Sequence, residues 1–133
     1  MGPIGRVFLG LCAFQAAYTS IAWACSCRPT TAEEAIASGD PIVVADVTST
    51  RSGCSGNTRV TIDVQEVIAG TASLGEMQVF DNRSTSCSLG VQEGETWILQ
   101  IFNEDRIALC DASQELEGED DPWLAELRAA AAE

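Results

Sequence analysis

The residues of this chain best equipped for chemistry are its cysteines, because the sequence contains no histidine. Without an imidazole, neither a Ser-His nor a Cys-His nucleophile pair can form, and a zinc site that includes histidine is excluded. The 20 acidic residues contain no motif that selects two carboxylates as an acid–base pair. We therefore predict that the chain is not an enzyme and needs no cofactor. The six thiols belong to Cys12, Cys25, Cys27, Cys54, Cys87 and Cys110.

The amino-terminal segment indicates which chemistry these thiols undergo. Arg6, the apolar run 7–14 and the small-x-small sequence Ala22-Trp23-Ala24 are typical of a secretory signal peptide covering residues 1–24. Cleavage would remove Cys12 and leave residues 25–133 as one mature domain. Exported proteins form disulfides, and these cysteines lack the paired Cys-x2–4-Cys spacing of structural zinc sites. We therefore expect a secreted, extracellular protein with disulfide bonds, and metal binding is the weaker alternative.

Cysteine spacing limits the possible disulfides without fixing them. Cys25 and Cys27 are too close in sequence to bridge each other comfortably, so each needs a distant partner. Cys54 lies in a stretch rich in Gly, Ser and Asn, and we predict that it is unpaired. Cys87 and Cys110 remain as partners of the amino-terminal cysteines, in either order.

The net charge of the chain limits the classes of partner that it can bind. The sequence contains seven arginines, no lysine and 20 acidic residues, which gives a formal net charge of −13. Such a chain repels nucleic-acid phosphates and anionic lipid surfaces, so we expect no nucleic-acid partner. After the signal peptide, no segment approaches the roughly 20 apolar residues that a membrane span requires. Membrane contact is therefore expected only if Cys25 carries a lipid. We also expect the protein to be a monomer.

Local patterns predict mainly β structure between two short helices. Overlapping capping boxes at Thr30-x-x-Glu33 and Thr31-x-x-Glu34, followed by Gly39, predict a helix over residues 31–38. An acidic linker over residues 113–121 precedes a second helix over about 122–131. Five β-rich stretches lie between the helices: Ile42–Thr48, a strand containing Val60, Ile62 and Val64, Met77–Phe80, Trp97–Phe102 as a central strand, and Arg106–Leu109. This pattern favours a small five-stranded OB-fold-like barrel with short flanking helices.

The start of the mature chain resembles a known family. Cys25-Ser26-Cys27-Arg28-Pro29, directly after a signal cleavage site, is similar to the Cys-x-Cys-x-Pro start of the tissue inhibitors of metalloproteinases. The likeness continues in the same order through most of the chain, in Glu34-Ala35-Ile36, Gly39-Asp40, Ser86-Cys87-Ser88-Leu89, Gly94-Glu95-Thr96-Trp97-Ile98-Leu99 and Leu109-Cys110-Asp111. The resemblance implies a netrin-like, OB-like barrel with disulfides Cys25–Cys87 and Cys27–Cys110. The family's third bridge is absent, because Ala37 occupies its helix position and no cysteine follows Cys110.

The resemblance also implies an activity, the inhibition of zinc metalloendopeptidases. In this family the amino-terminal cysteine binds the enzyme's catalytic zinc through its backbone, so Cys25 would supply its free α-amine and its carbonyl oxygen. Ser26 would enter the primary specificity pocket, and Cys27, Arg28 and Pro29 would line the cleft as a substrate does. Ser86 and Cys87 would complete this inhibitory ridge.

Two other functions use the same residues. A non-inhibitory netrin-like interaction module would have the same barrel and disulfides as purely structural features. A lipid-anchored envelope protein would instead be modified on the Cys25 thiol. Lipidation would consume the thiol that the Cys25–Cys87 bridge requires, so disulfide mapping separates this alternative from the other two.

Overall fold

The structure is a computed structural model that describes residues 30–53, 56–82, 88–109 and 111–133. These residues are mostly β, with a six-stranded sheet curled into a half-barrel and two short helices. All six cysteines and the predicted signal peptide lie outside the described residues. The disulfides, the unpaired state of Cys54 and the cleavage site therefore stay predictions.

The first helix, α1, spans Ala32–Ala37 and follows from its capping residues. Thr31 is the N-cap, and its hydroxyl accepts a hydrogen bond from the backbone N–H of Glu34 at 3.2 Å. Gly39, which follows the C-cap, has a φ of +78°. This is the left-handed conformation that commonly ends a helix, and glycine adopts it most easily. The predicted helix is confirmed, and it is one residue shorter at each end because Thr31 and Ser38 serve as caps.

Strands β1 and β2 form a long antiparallel hairpin at the centre of the sheet. They span Ile42–Ser52 and Asn57–Ala69. The sequence predicts that the first strand ends at Thr48, where polar residues begin, and this end is wrong by four residues. The register shifts between Val47 and Ser49, and pairing with β2 then continues to Ser52. Such an irregularity lets an exposed polar segment stay in the ladder.

Four further strands complete the sheet in the order β5-β3-β2-β1-β4-β6. The sequence predicts five strands, whereas the described residues form six. Trp97–Phe102 is predicted to be central, yet β4 lies one place from the edge, between β1 and the short β6. The strand bounds are Gly75–Asn82 for β3, Thr96–Gln100 for β4, Arg106–Ile107 for β5 and Gln114–Glu115 for β6.

Each face of the sheet carries an apolar core. On one face, Val43, Ala45 and Val47 of β1 pack with Val60 and Ile62 of β2 in the larger core. The opposite face packs against α1 and the second helix, α2, which spans Pro122–Ala131. The buried residues of this second, smaller core are Ala32, Ala35, Ile42, Val44, Ile98, Ala112, Leu124 and Leu127.

Helix α2 confirms the prediction for the carboxyl-terminal segment. Asp121 is its N-cap and accepts a hydrogen bond from the backbone N–H of Trp123 at 2.9 Å, while Pro122 occupies the first turn. Leu124 and Leu127 are buried in the core between this helix, α1 and the sheet. Neither described helix has the length and apolar character needed to span a bilayer.

Candidate functional site

The predicted inhibitory ridge borders segments whose attachment to the fold is known. Its own residues all lie outside the described ones: Cys25, Ser26, Cys27, Arg28, Pro29, Ser86 and Cys87. The described chain resumes at Thr30 after the first part of the ridge, at Ser88 after the second part, and at Asp111 after Cys110. The contacts of these three flanking segments define the candidate site.

Asp81 fixes the segment that follows Cys87. It lies near the end of β3 with 1% of its surface exposed. Its carboxylate accepts hydrogen bonds from the Ser88 hydroxyl at 2.9 Å, the Leu89 N–H at 3.2 Å and the Gly90 N–H at 3.1 Å. A buried carboxylate is costly unless such donors surround it, so this loop and this side chain hold each other in place.

The position of Asp81 also brings the end of β5 to the same region. Asp81 pairs with Thr58 of β2 on one side and with Ile107 of β5 on the other. Because β3 and β5 are parallel, their carboxyl ends lie side by side, and the chain leaves both strands at the same end of the sheet. The residues after β5 that lead towards Cys110 therefore start beside the residue that anchors Ser88.

Gln100 fixes the segment that follows Cys110. Its amide is buried at the end of β4 and accepts a hydrogen bond from the Ala112 N–H at 3.0 Å. The same amide donates to the Ser38 hydroxyl at the end of α1 at 3.0 Å. Its backbone N–H donates to the Ser113 hydroxyl at 2.9 Å. One residue thus joins α1, β4 and the segment 112–113.

Trp123 brings the amino-terminal segment close to the same place. Its indole N–H donates to the carbonyl oxygen of Ala112 at 2.9 Å. The indole also lines a groove between α1 and α2, together with Thr30 and Thr31. The described residues nearest to Cys27 and those just after Cys110 therefore meet around one side chain.

Asp111, directly after Cys110, lies in a partly desolvated position. Burial raises the pKa of its carboxyl group above the ordinary range, and the nearby negative charge of Asp40 adds to this effect. Hydrogen bonds from Ser113 oppose the rise in pKa, including one from its N–H to Asp111 Oδ1 at 2.7 Å.

The anchoring residues were not found by sequence reasoning, although a weak signal exists for two of them. Asp81 is two residues from Val79, and Gln100 is two residues from Ile98, so each shares a strand face with a buried aliphatic side chain. A polar residue on a buried strand face requires partners, which marks it as a structural anchor. The identity of those partners depends on the folded loops.

Comparison with protein-family models finds no match to this chain, and comparison with curated proteins finds none. The resemblance to the metalloproteinase inhibitors therefore depends on the sequence motifs alone. Within the ranges that the structure describes, no group of three or more Cys, His, Asp or Glu side chains is placed to share a metal ion.

Proposed function

We propose that the mature chain is a secreted inhibitor of zinc metalloendopeptidases that binds the target's catalytic zinc through Cys25. The observation that carries this proposal is the sequence Cys25-Ser26-Cys27-Arg28-Pro29 placed directly after a signal cleavage site. The proposal includes a netrin-like, OB-fold-like barrel held by the disulfides Cys25–Cys87 and Cys27–Cys110. A curled, mostly β half-barrel is compatible with that finer assignment.

The proposed mechanism uses backbone atoms of the first residue. The α-amine and the carbonyl oxygen of Cys25 would form a five-membered chelate with zinc. The chelate would occupy the open coordination position and displace the water that the metal activates for attack. The amine must be neutral to coordinate, and an α-amine has an unperturbed pKa of about 8. Ser26 would occupy the specificity pocket, and the neighbouring ridge residues would line the cleft.

The contacts of the flanking segments support the rigidity that this mechanism requires. Asp81 holds residues 88–90, directly after Cys87. Gln100 and Trp123 hold Ala112, two residues after Cys110. Disulfides from Cys25 and Cys27 to such anchored segments would fix the amino terminus on the sheet. A preorganised ridge loses little conformational entropy on binding, which favours tight inhibition.

Extending the amino terminus tests the proposal. The protein beginning at Cys25 should inhibit at least one enzyme in a panel of metalloendopeptidases of several subclasses. Adding a single Ala before Cys25 converts the amine into an amide and should weaken inhibition at least about 100-fold, the equivalent of ~3 kcal/mol. The measurement is the inhibition constant of each form against the same enzyme.

The control is that both forms have the same circular dichroism spectrum and melting temperature. An extended protein that inhibits fully would refute zinc chelation by Cys25. Absence of inhibition across the panel by the correctly processed, disulfide-bonded protein would favour the interaction-module function. A lipid adduct on Cys25 in the intact mass would favour the envelope protein.

A further inference from the structure

Three of the seven arginines form one row across the sheet. Arg51 of β1 pairs with Arg59 of β2, Arg59 pairs with Phe80 of β3, and Phe80 pairs with Arg106 of β5. Directly paired residues project from the same face of a sheet. This set, the arginine row, therefore lies on one face across four adjacent strands.

The arginine row lies on the outer face and lines a groove. The residues that follow or precede the row along the strands, Val60, Val79 and Ile107, are buried on the opposite face. Arg51 and Arg59 are exposed, and Phe80 and Arg106 are half-buried. All four line the same groove, together with Ser52, Gly53 and Asn57.

The positive charges of the row are poorly compensated. Like charges directly opposite each other destabilise a strand pair, yet Arg51 and Arg59 are paired in this way. Among the described residues, the ion pairs involve Arg106 with Asp105 at 3.8 Å and Arg128 with Glu66 at 2.6 Å, so neither Arg51 nor Arg59 has a carboxylate. The next row on the same face is uncharged, with Ser49, Thr61 and Gln78. The row therefore concentrates positive charge in a chain whose net charge is −13.

Phe80 orients two of the arginines. The guanidinium carbon of Arg59 lies 5.8 Å from the centre of the ring, and that of Arg106 lies 5.6 Å from it. Cation–π contacts of this kind hold a guanidinium by its face and leave the N–H groups at its edge able to donate. A planar fork of donors matches the oxygens of a phosphate or sulfate group.

We propose that the groove of the arginine row binds one tetrahedral oxyanion, a phosphate or sulfate group, free or as the ester of a small molecule. Arg51 and Arg59 bind the anion, whose charge relieves their mutual repulsion, and Arg106 contributes from the other side of Phe80. The net charge of −13 repels extended polyanions, so a single small group is favoured over a nucleic acid or a sulfated polysaccharide. The site is independent of the proposed inhibitory ridge.

Phosphate-dependent thermal stability tests the proposal. Melting temperatures are measured for the mature protein with increasing inorganic phosphate, against sodium chloride of equal ionic strength. A ligand that binds only the folded state raises the melting temperature by mass action. Arg51→Gln and Arg59→Gln should each weaken the apparent phosphate affinity at least tenfold, and Arg51→Gln should do so without lowering stability in the absence of phosphate. Arg128→Gln, which removes an arginine elsewhere on the protein, should respond as the unmodified protein does.

Equal phosphate responses in the unmodified protein, Arg51→Gln and Arg59→Gln would overturn the proposal, because a general salt effect acts on all of them alike. A phosphate titration of the unmodified protein followed by NMR does not depend on the folding of any variant. Shifts concentrated at Arg51, Arg59 and Phe80 are expected, and shifts spread evenly over the chain would overturn the site.

Competition experiments distinguish the source of the anion. Inorganic sulfate and a short-chain phosphate monoester should each displace inorganic phosphate from the groove. Tighter binding of the monoester would identify an esterified ligand, and equal binding would identify the free anion. Binding of a sulfated polysaccharide through Arg59, with no response to inorganic phosphate or to the monoester, would contradict the proposal of a small-molecule site.

Discussion

Asp81 illustrates how a single buried residue can hold a loop in place. Its three hydrogen-bond donors come from residues 88–90, so removal of the carboxylate affects a whole segment rather than one contact. This loop directly follows Cys87, and its attachment is independent of any disulfide. The proposed ridge would therefore have two kinds of support, a hydrogen-bonded anchor and a covalent bridge.

Asp81→Ala should destabilise the protein by about 2–4 kcal/mol, because it removes the acceptor of three partly buried hydrogen bonds, from the Ser88 hydroxyl and the N–H groups of Leu89 and Gly90. Urea denaturation gives the change in the free energy of unfolding. Asp63→Ala is the matched control on β2, since among the described residues the Asp63 carboxylate accepts only from the exposed Gln65 side chain. Equal and small losses in both variants would contradict the anchoring role of Asp81.

Asp111 makes stability depend on pH. Its pKa is raised in the folded state, so the folded protein binds the proton more tightly than the unfolded chain does. Stability is therefore lost as the pH rises through the interval between the unfolded and the folded pKa. Asp111→Asn retains an acceptor for the Ser113 N–H and removes the desolvated charge.

The melting temperature of Asp111→Asn should exceed that of the unmodified protein at pH 7, because the desolvated charge is gone. The difference should vanish below about pH 4, where the unmodified carboxyl group is also neutral. Thermal denaturation at several pH values measures this. A variant that melts at a lower temperature at pH 7 would show that the Ser113 hydrogen bond outweighs burial.

At the scale of elements, local capping explains which parts of the fold can be predicted. Thr31 and Asp121 cap α1 and α2 with their own side chains, and the signal for such caps lies within four residues. The β1–β2 hairpin is also local, and its turn residues mark its position. Arg51 and Arg59 are about equally far from the middle of the connection between the two strands, so their pairing could be predicted from the sequence.

The parallel pairing of β5 and the existence of β6 could not be predicted in the same way, because each depends on a distant partner strand. Arg106–Ile107 follows a tight turn in which Asn103 and Glu104 have positive φ, and then pairs in parallel with β3. Gln114–Glu115 lies in the predicted acidic linker, yet it pairs with Trp97 and Ile98 of β4. An exposed edge strand of two residues has no apolar pattern to reveal it.

Asp121→Ala should cost about 1 kcal/mol, because it removes the acceptor for the first turn of α2. It also removes the acceptor for the Gln114 side chain at 2.9 Å. Asp120→Ala, which changes the neighbouring acidic residue without removing the cap, should have an effect within about 0.5 kcal/mol of zero. Chemical denaturation of both variants measures the difference, and equal effects would mean that charge rather than capping explains the loss.

At the scale of the whole molecule, the fold combines a curled sheet with helices that cover one end of its outer face. The uncovered part of that face carries the arginine row. The segments next to the proposed ridge are held by Asp81 at the edge of β3, and by Gln100 and Trp123 between the sheet and the helices. The ridge itself was predicted only from the cysteine pattern and the family resemblance, since local sequence does not define the position of a chain end.

Acetylation of the amino terminus is the sharpest test of zinc chelation, because it changes only the α-amine of Cys25. The inhibition constants of the free and acetylated proteins are compared against the same metalloendopeptidase, after both are shown to have the same disulfides. We expect strong inhibition by the free form and its loss on acetylation. Undiminished inhibition by the acetylated form would rule out zinc binding through the Cys25 amine.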